Sequence, residues 1–420
     1  MAYDETTYRR QSDGGADDAT TYRAGGIGAT DYRSRRRDLD PDDTGDRPAD
    51  VTAEPLRRPH DDYGHDRLGI HFGWEIVLLL AAAAIGFLLW RLDPGNLKRP
   101  ALDSLLVMGT VIGLLTLGAG LSLRAAVPNL AVGPIALAAA VHFAENGDRG
   151  LIQGAWPALA VAAAGGLVVG LVIIGLHLPG WAASLAAMLG VIVWIQLRVQ
   201  PVAVQDTFDP LKQAFYLFGG FALLAVIGGA LGTVQPIRRV LGRMRPHGDP
   251  ARRRGAVAAL PVIGALVLSS AFAAAAGILL AAQSKAPIVP NTGLEWTGIA
   301  FGTALLAGTS AFGRRGGVFG TLLAVAGMTL FLNYLTRRDL DISLFAIGAC
   351  AIGGGLVVTR LIETYGKPLA AGSVGDDWNA APATANPNWN PDLPESWTPA
   401  APNQARTDRW DEGPWAGGGR

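Results

Sequence analysis

Between residues 72 and 362 the chain is almost continuously apolar, broken into runs of about 18–22 residues, and this pattern constrains the fold more than any other feature. A run of that length matches the hydrocarbon thickness of a bilayer when it is helical. Backbone hydrogen bonds must then be satisfied within each segment, which leaves helices as the spanning element. The expectation is an all-α integral membrane protein with about ten transmembrane helices. They fall near 72–90, 102–122, 129–144, 156–176, 180–197, 214–234, 256–281, 297–311, 318–334 and 342–360. The third and eighth runs are short for a full crossing and are expected to be tilted, broken or re-entrant.

Two polar regions flank this core. Residues 1–70 are rich in Asp, Arg, Gly and Thr and hold too few large apolar side chains to bury a core, so a disordered tail is expected. A weak repeat runs through it: Thr6-Thr7-Tyr8-Arg9, Thr20-Thr21-Tyr22-Arg23 and Thr30-Asp31-Tyr32-Arg33. It reads either as a docking or phosphorylation motif or as low-complexity drift. Residues 367–420 form a second disordered tail, rich in Pro and Asn, with tryptophans at 378, 389, 397, 410 and 415. These are either anchors for a partner groove or without specific role. The membrane domain is bounded at 71–366. No cleavable signal peptide is expected, because the first residues are polar and acidic.

Orientation follows from one segment. Residues 235–255 carry seven arginines and a single acid, and short loops this basic remain in the cytoplasm. Counting spans outward from it places both termini in the cytoplasm. The same count places Arg91, Lys98, Arg99, Arg337 and Arg338 outside, against the rule. The scarcity of lysine and the abundance of Ala and Gly fit a GC-rich bacterial genome, and hence a bacterial plasma membrane.

The chemistry missing from the chain narrows its function. The spans hold almost no ionisable side chains, since Glu75, Asp103, Arg124 and Glu145 fall near expected ends and His142 is the most embedded. An ion-coupled carrier keeps such groups at membrane depth to bind its coupling ion, so that class is disfavoured. No GxxxxGK[ST] phosphate loop, metal-ligand spacing or catalytic arrangement occurs. The chain is therefore expected to be no enzyme, with no catalytic residues, metal or cofactor. Gly166 and Gly170, Gly228 and Gly232, and Gly316 and Gly320 stand four apart, which allows close helix contact. Cys350 is the single cysteine and is read as a small packing residue. Trp194, Gln196 and Asn333 are polar or amphipathic groups within spans, available to line a pocket.

One segment is far richer in glycine than a membrane turn needs: Ala307-Gly-Thr-Ser-Ala-Phe-Gly-Arg-Arg-Gly-Gly-Val-Phe-Gly-Thr321. It resembles the G-G-T-S-L-S-G-G-R-G-S-V-L-G-T segment of permease subunits of ABC importers for ribose-type sugars and branched-chain amino acids. Gly308, Thr309, Ser310, Gly313, Arg315, Gly316, Val318, Gly320 and Thr321 match in register, and Leu322, Leu323 and Asn333 continue the likeness. Asn129-Leu130-Ala131-Val132-Gly133 is similar to the D-L-S-V-G opening of that family's third span, with Asn129 and Ala131 replacing Asp and Ser. Gly166 to Gly170, Leu178-Pro179 and Ser184-Leu185 resemble its fourth and fifth spans. Asp249-Pro-Ala-Arg-Arg-Arg-Gly255 resembles E-A-A-x-x-x-G, with Asp249, Ala251 and Gly255 in register.

The resemblance covers about residues 72–362. It implies a permease subunit, working as a homo- or heterodimer, that translocates a small polar solute such as a sugar. A separate ATP-binding subunit would hydrolyse ATP, and an extracytoplasmic solute-binding protein would deliver the solute. Asp249, Ala251, Arg252 and Gly255 would then form a short coupling helix docked on the ATPase. Its three arginines depart from the family pattern. The alternative is a transport-inactive scaffold of the same fold whose tails recruit cytoplasmic partners.

Overall fold

A computed structural model describes residues 68–205, 208–234, 237, 256–284, 286–311 and 317–365. Both tails, the coupling residues Asp249, Ala251, Arg252 and Gly255, and the motif residues Gly313, Arg315 and Gly316 lie outside the described residues.

Among the described residues the apolar runs form ten α-helices, and the short intervening segments contribute 3-10 turns at Pro94–Leu97, Gly147–Arg149 and Pro210–Gln213 and an isolated bridge between Val202 and Ile288. In chain order they are α1 (Leu68–Leu92), α2 (Ala101–Arg124), α3 (Val132–Asn146), α4 (Leu151–Gly175), α5 (Gly180–Gln196), α6 (Ala214–Leu231), α7 (Ala256–Gln283), α8 (Leu294–Leu306), α9 (Gly320–Arg337) and α10 (Leu344–Tyr365). Six of them, α1, α2, α4, α6, α7 and α10, are long and apolar enough to cross a membrane. Ten spans were expected, the third and eighth of them short for a full crossing. The shortfall comes from α3 and α8, at 15 and 13 residues, from the 17-residue α5, and from α9, whose far end is polar and basic. At about 1.5 Å per residue, α8 reaches only about 20 Å.

Burial sorts the helices. In its most apolar stretch α2 is 72% buried, whereas α1 is 17% buried and α4 and α6 are each 22% buried. A helix apolar all round and enclosed by others is a core element. One apolar all round but exposed has its outer face solvated by lipid or another chain. Helix α2 packs on α7, α8, α6 and α9, and α7 in turn packs on α4 and α3. Buried Val111, Leu115, Ala119, Val132, Ala273, Ala276, Ala300 and Ala304 interlock α2, α3, α7 and α8. Ile112, Phe221, Ile299, Val325 and Ala351 do the same for α2, α6, α8, α9 and α10.

Small residues set the closest crossings. A side chain at Gly277 would run into the carbonyl oxygen of Ala136, so α3 and α7 approach backbone to backbone. The paired glycines behave unequally. Gly166 and Gly170 face Leu266 and Ile263 of α7 as expected. Gly228 faces open space, and it is its neighbour Gly229 that meets the Val318 backbone, so the four-residue spacing picked the wrong face of α6.

Candidate functional site

The third-span motif is the polar hub of the bundle. Helix α2 stops at Arg124, and Pro128 prevents the chain from rejoining a helix at once. The side-chain oxygen of Asn129 accepts the Ala131 N–H at 3.2 Å, which turns the chain into α3. Its amide nitrogen donates to the hydroxyls of Ser269 at 3.0 Å and Ser270 at 3.2 Å. Its backbone N–H donates to Ser122 at 3.1 Å. Next to it, the Leu130 N–H donates to the Ser184 hydroxyl of α5 at 2.6 Å. The Thr297 hydroxyl of α8 accepts the Gly133 N–H at 3.0 Å and donates to the Leu130 carbonyl at 3.2 Å. Ser269 and Ser270 lie near the midpoint of the 28-residue α7. An irregular stretch of backbone is thus held level with the centre of a spanning helix, with Asn129, Ser269 and Ser270 all buried. Irregular backbone at such depth is tolerated only where protein satisfies it.

The glycine-rich segment marks one end of the bundle. Helix α8 is closed by Gly308, whose φ of 87° a side chain would resist. The Gly308 N–H returns to the Leu305 carbonyl at 2.9 Å and the Thr309 N–H to Ala304 at 3.1 Å, the paired closure that glycine permits. Two other helices then clamp the segment. In α1, Trp74 donates to the Leu306 carbonyl at 2.7 Å. Glu75 accepts the N–H groups of Phe319 at 2.7 Å and Gly320 at 3.0 Å, capping α9 from another helix. A side chain at Gly317 would collide with Glu75. In α10, Glu363 accepts the Ser310 hydroxyl. Glu75 is thus buried at the glycine-rich segment and not simply a charge near a span end. Sequence reading missed Glu363 altogether. An acid beside an apolar run was the only signal.

Two of the cavities among the described residues lie between the helices. The larger, about 370 Å³, separates α3, α4, α5 and α7 and is walled mainly by Ala, Val, Gly and Leu, with Asn129, Ser270, His142 and Trp194 at its polar points. The buried Nε2 of His142 has no partner there. The second, about 250 Å³, opens at the end opposite the glycine-rich segment, among α2, α7, α8, α9 and α10. Its polar lining is Ser104, Gln283, Thr329, Asn333 and Thr336, beside the Trp296 ring. The turn after α9 forms its lip, with Asp339 at φ 53° and the Leu340 N–H closing onto the Leu335 carbonyl at 3.0 Å. Of the three residues singled out for a pocket, Asn333 lines this one and Trp194 the larger one. Gln196 lines neither and is the last residue of α5.

At that same end, two basic residues have partners. Arg198 makes two hydrogen bonds to Glu145, at 2.6 and 2.9 Å, and lies 3.9 Å over the Trp194 ring. Arg99 pairs with Asp103 at 3.6 Å and lies over Phe215. No group of three or more His, Cys, Asp or Glu suited to a metal occurs among the described residues.

Comparison with known proteins gives one informative relative. Over 291 residues the chain is 28% identical to the Autoinducer 2 import system permease protein LsrC of Enterobacter sp. (strain 638). The matched stretch is 66% of this chain and 81% of that protein. No family profile matches the chain, and no solved structure matches it. The relative bears out the resemblance to ABC importer permeases read from the sequence, and a multi-pass α-helical membrane protein is consistent with both.

Proposed function

We propose that this chain is the membrane-spanning permease subunit of an ATP-driven importer and passes a small polar solute such as a sugar. The observation that carries the reading is the 291-residue similarity to an import-system permease. The geometry supports it in one respect. A carrier pathway needs backbone that departs from helix within the membrane, and the stretch around Asn129 does so at the level of the α7 midpoint.

In this reading all ten helices lie in the membrane, with α3 and α8 spanning only part of its depth within the shelter of the others. Both termini and the arginine-rich 235–255 segment face the cytoplasm. The glycine-rich end is then cytoplasmic and the end bearing Ser104, Gln283 and Asn333 faces outward. ATP hydrolysis belongs to a separate subunit, met through Asp249, Ala251, Arg252 and Gly255. A second permease copy and an extracytoplasmic solute-binding protein complete the assembly.

The test is purification of the tagged full chain from its native membranes. An ATP-binding subunit should co-purify, and Gly255→Arg should release it while leaving the chain in the membrane. Recovery of the intact chain with no ATPase would overturn the reading.

A further inference from the structure

We infer that the 370 Å³ cavity among α3, α4, α5 and α7 is a slot for one acyl chain of a membrane phospholipid, whose phosphate is met by Arg149. The inference needs only a multi-pass membrane protein. The leaflet, the outer one, follows from the orientation proposed above. Three observations carry it.

The first is where the cavity opens. Pro157, Val161 and Gly165 recur every fourth residue along α4, and Ala187, Val191 and Trp194 share one face of α5. These two stripes border the cavity and also form part of the outer surface. Val161 is 72% exposed, and Pro157, Gly165 and Trp194 are exposed as well. A side chain at Gly165 would meet nothing within 4 Å. Behind the stripes the wall is made by Ala138 and Ala139 of α3 and Leu266 of α7. The gap between α4 and α5 is therefore a mouth on the lipid-facing side, since an exposed apolar helix face at membrane depth is solvated by lipid. Water avoids a space walled this way, and leaving it unfilled forfeits the dispersion contacts of its lining. An acyl chain already at the mouth restores them.

The second is length. From Pro157 to Val169 the lining follows α4 over about 18 Å, at about 1.5 Å per residue. The hydrocarbon core is about 30 Å thick, so the chains of one leaflet reach about 15 Å. The slot begins near the end of the bundle that carries Glu145 and Arg198. It stops at Asn129 and Ser270, level with the midpoint of α7. The amide of Asn129 already donates to Ser269 and Ser270 there, so the inner end calls for no polar ligand.

The third is charge. Arg149 ends the turn Gly147–Arg149 between α3 and α4, is exposed, and has no ion-pair partner among the described residues. It lies close enough to His142, at the outer end of the slot, for their charges to interact. Arg198 at the same end is spent on Glu145. Helix α4 rises about 9 Å from Pro157 to its start at Leu151, and the headgroup layer is about 5–8 Å thick on each side. A phospholipid with its chain in the slot thus brings its phosphate to the level of Arg149, whose charge complements it.

The full chain is titrated in detergent micelles with a phosphatidylcholine that carries a diazirine at mid-chain, then irradiated, and the labelled sites are mapped by mass spectrometry. Labelling should saturate at 157–169 and 187–194, while the exposed helix α1 labels without saturation. Gly165→Leu fills the mouth and should lower slot labelling about tenfold, the worth of the chain burial it displaces. Should that variant fail to fold, Ala187→Leu on the facing helix replaces it, with the same expected loss. Arg149→Gln should weaken the lipid about two- to fivefold, the worth of an exposed ion pair. Labelling that spreads over α1 and α4 without saturation, or equal slot labelling in the mouth-filling variant, overturns the slot. Diacylglycerol of the same chains competing as well as phosphatidylcholine overturns the phosphate contact. Disulfide-linked dimers of Val161→Cys in a Cys350→Ala background would place a second copy on this face and overturn the lipid as its occupant. Failure of the permease reading registers separately, as the absence of an ATPase partner whatever the lipid does.

Discussion

Glu75 offers the sharpest quantitative test of the fold. Its Oε1 accepts two N–H groups at the start of α9, at 2.7 and 3.0 Å, and the residue is 5% exposed. Glu75→Ala removes the shared acceptor and leaves a buried donor at Gly320 and a part-buried one at Phe319. A buried donor without a partner costs about 1–3 kcal/mol. Partial relaxation of a helix end toward water lowers the pair to about 2–4 kcal/mol. If amide exchange proceeds through local opening, that cost appears as exchange of the Phe319 and Gly320 amides about 30- to 700-fold faster, at tenfold per about 1.4 kcal/mol. Glu75→Gln keeps an oxygen in place and loses only the favourable interaction of an acid with a helix N-terminus, about 0.3–1 kcal/mol, so its exchange stays within about fivefold of wild type. Hydrogen exchange of a peptide spanning 317–323, followed by mass spectrometry in nanodiscs, reads both. The 3-10 turn Pro94–Leu97, at the far end of α1, is the internal control, and its exchange should not move. Exchange at Phe319 and Gly320 within about threefold of wild type in Glu75→Ala would refute the reasoning.

Two further outcomes are expected. Gly277→Val puts a branched side chain against the Ala136 carbonyl and should lower the thermal unfolding midpoint by overpacking worth about 1–3 kcal/mol or more. Gly264→Ala in the same helix meets nothing within 4 Å and should be neutral or stabilising. Asn129→Leu strands Ser269, Ser270 and the Ala131 N–H and should cost about 2–4 kcal/mol in thermal or denaturant unfolding. Asn129→Asp keeps the Ala131 bond and can accept from both serines, so it should cost less than Asn129→Leu.

The positions of the helices were legible because a bilayer admits few solutions. The second run, read as 102–122, is Ala101–Arg124, and the last, read as 342–360, is Leu344–Tyr365. Where boundaries slipped, local backbone chemistry decided. The eighth helix ends at Leu306 and not at 311, because Gly308 takes a left-handed conformation and closes the helix early. The fourth begins at Leu151 and carries Pro157 inside it, although proline invites a later start. The third-span residues Asn129, Leu130, Val132 and Gly133 assemble into one hydrogen-bonded hub. Nothing in their own segment revealed that Ser184, Ser269, Ser270 and Thr297 complete it.

Glu75 marks the same divide. Its acid was visible beside an apolar run, but its partners stand 244 and 245 residues away in the chain. By itself the sequence determined that the chain must cross a membrane as helices, and roughly where, since hydropathy over a span-length window is a local property. Only the tertiary structure decided which polar groups meet and which glycines touch. Those are pairings between helices remote in sequence, and hydrophobic periodicity carries no record of them.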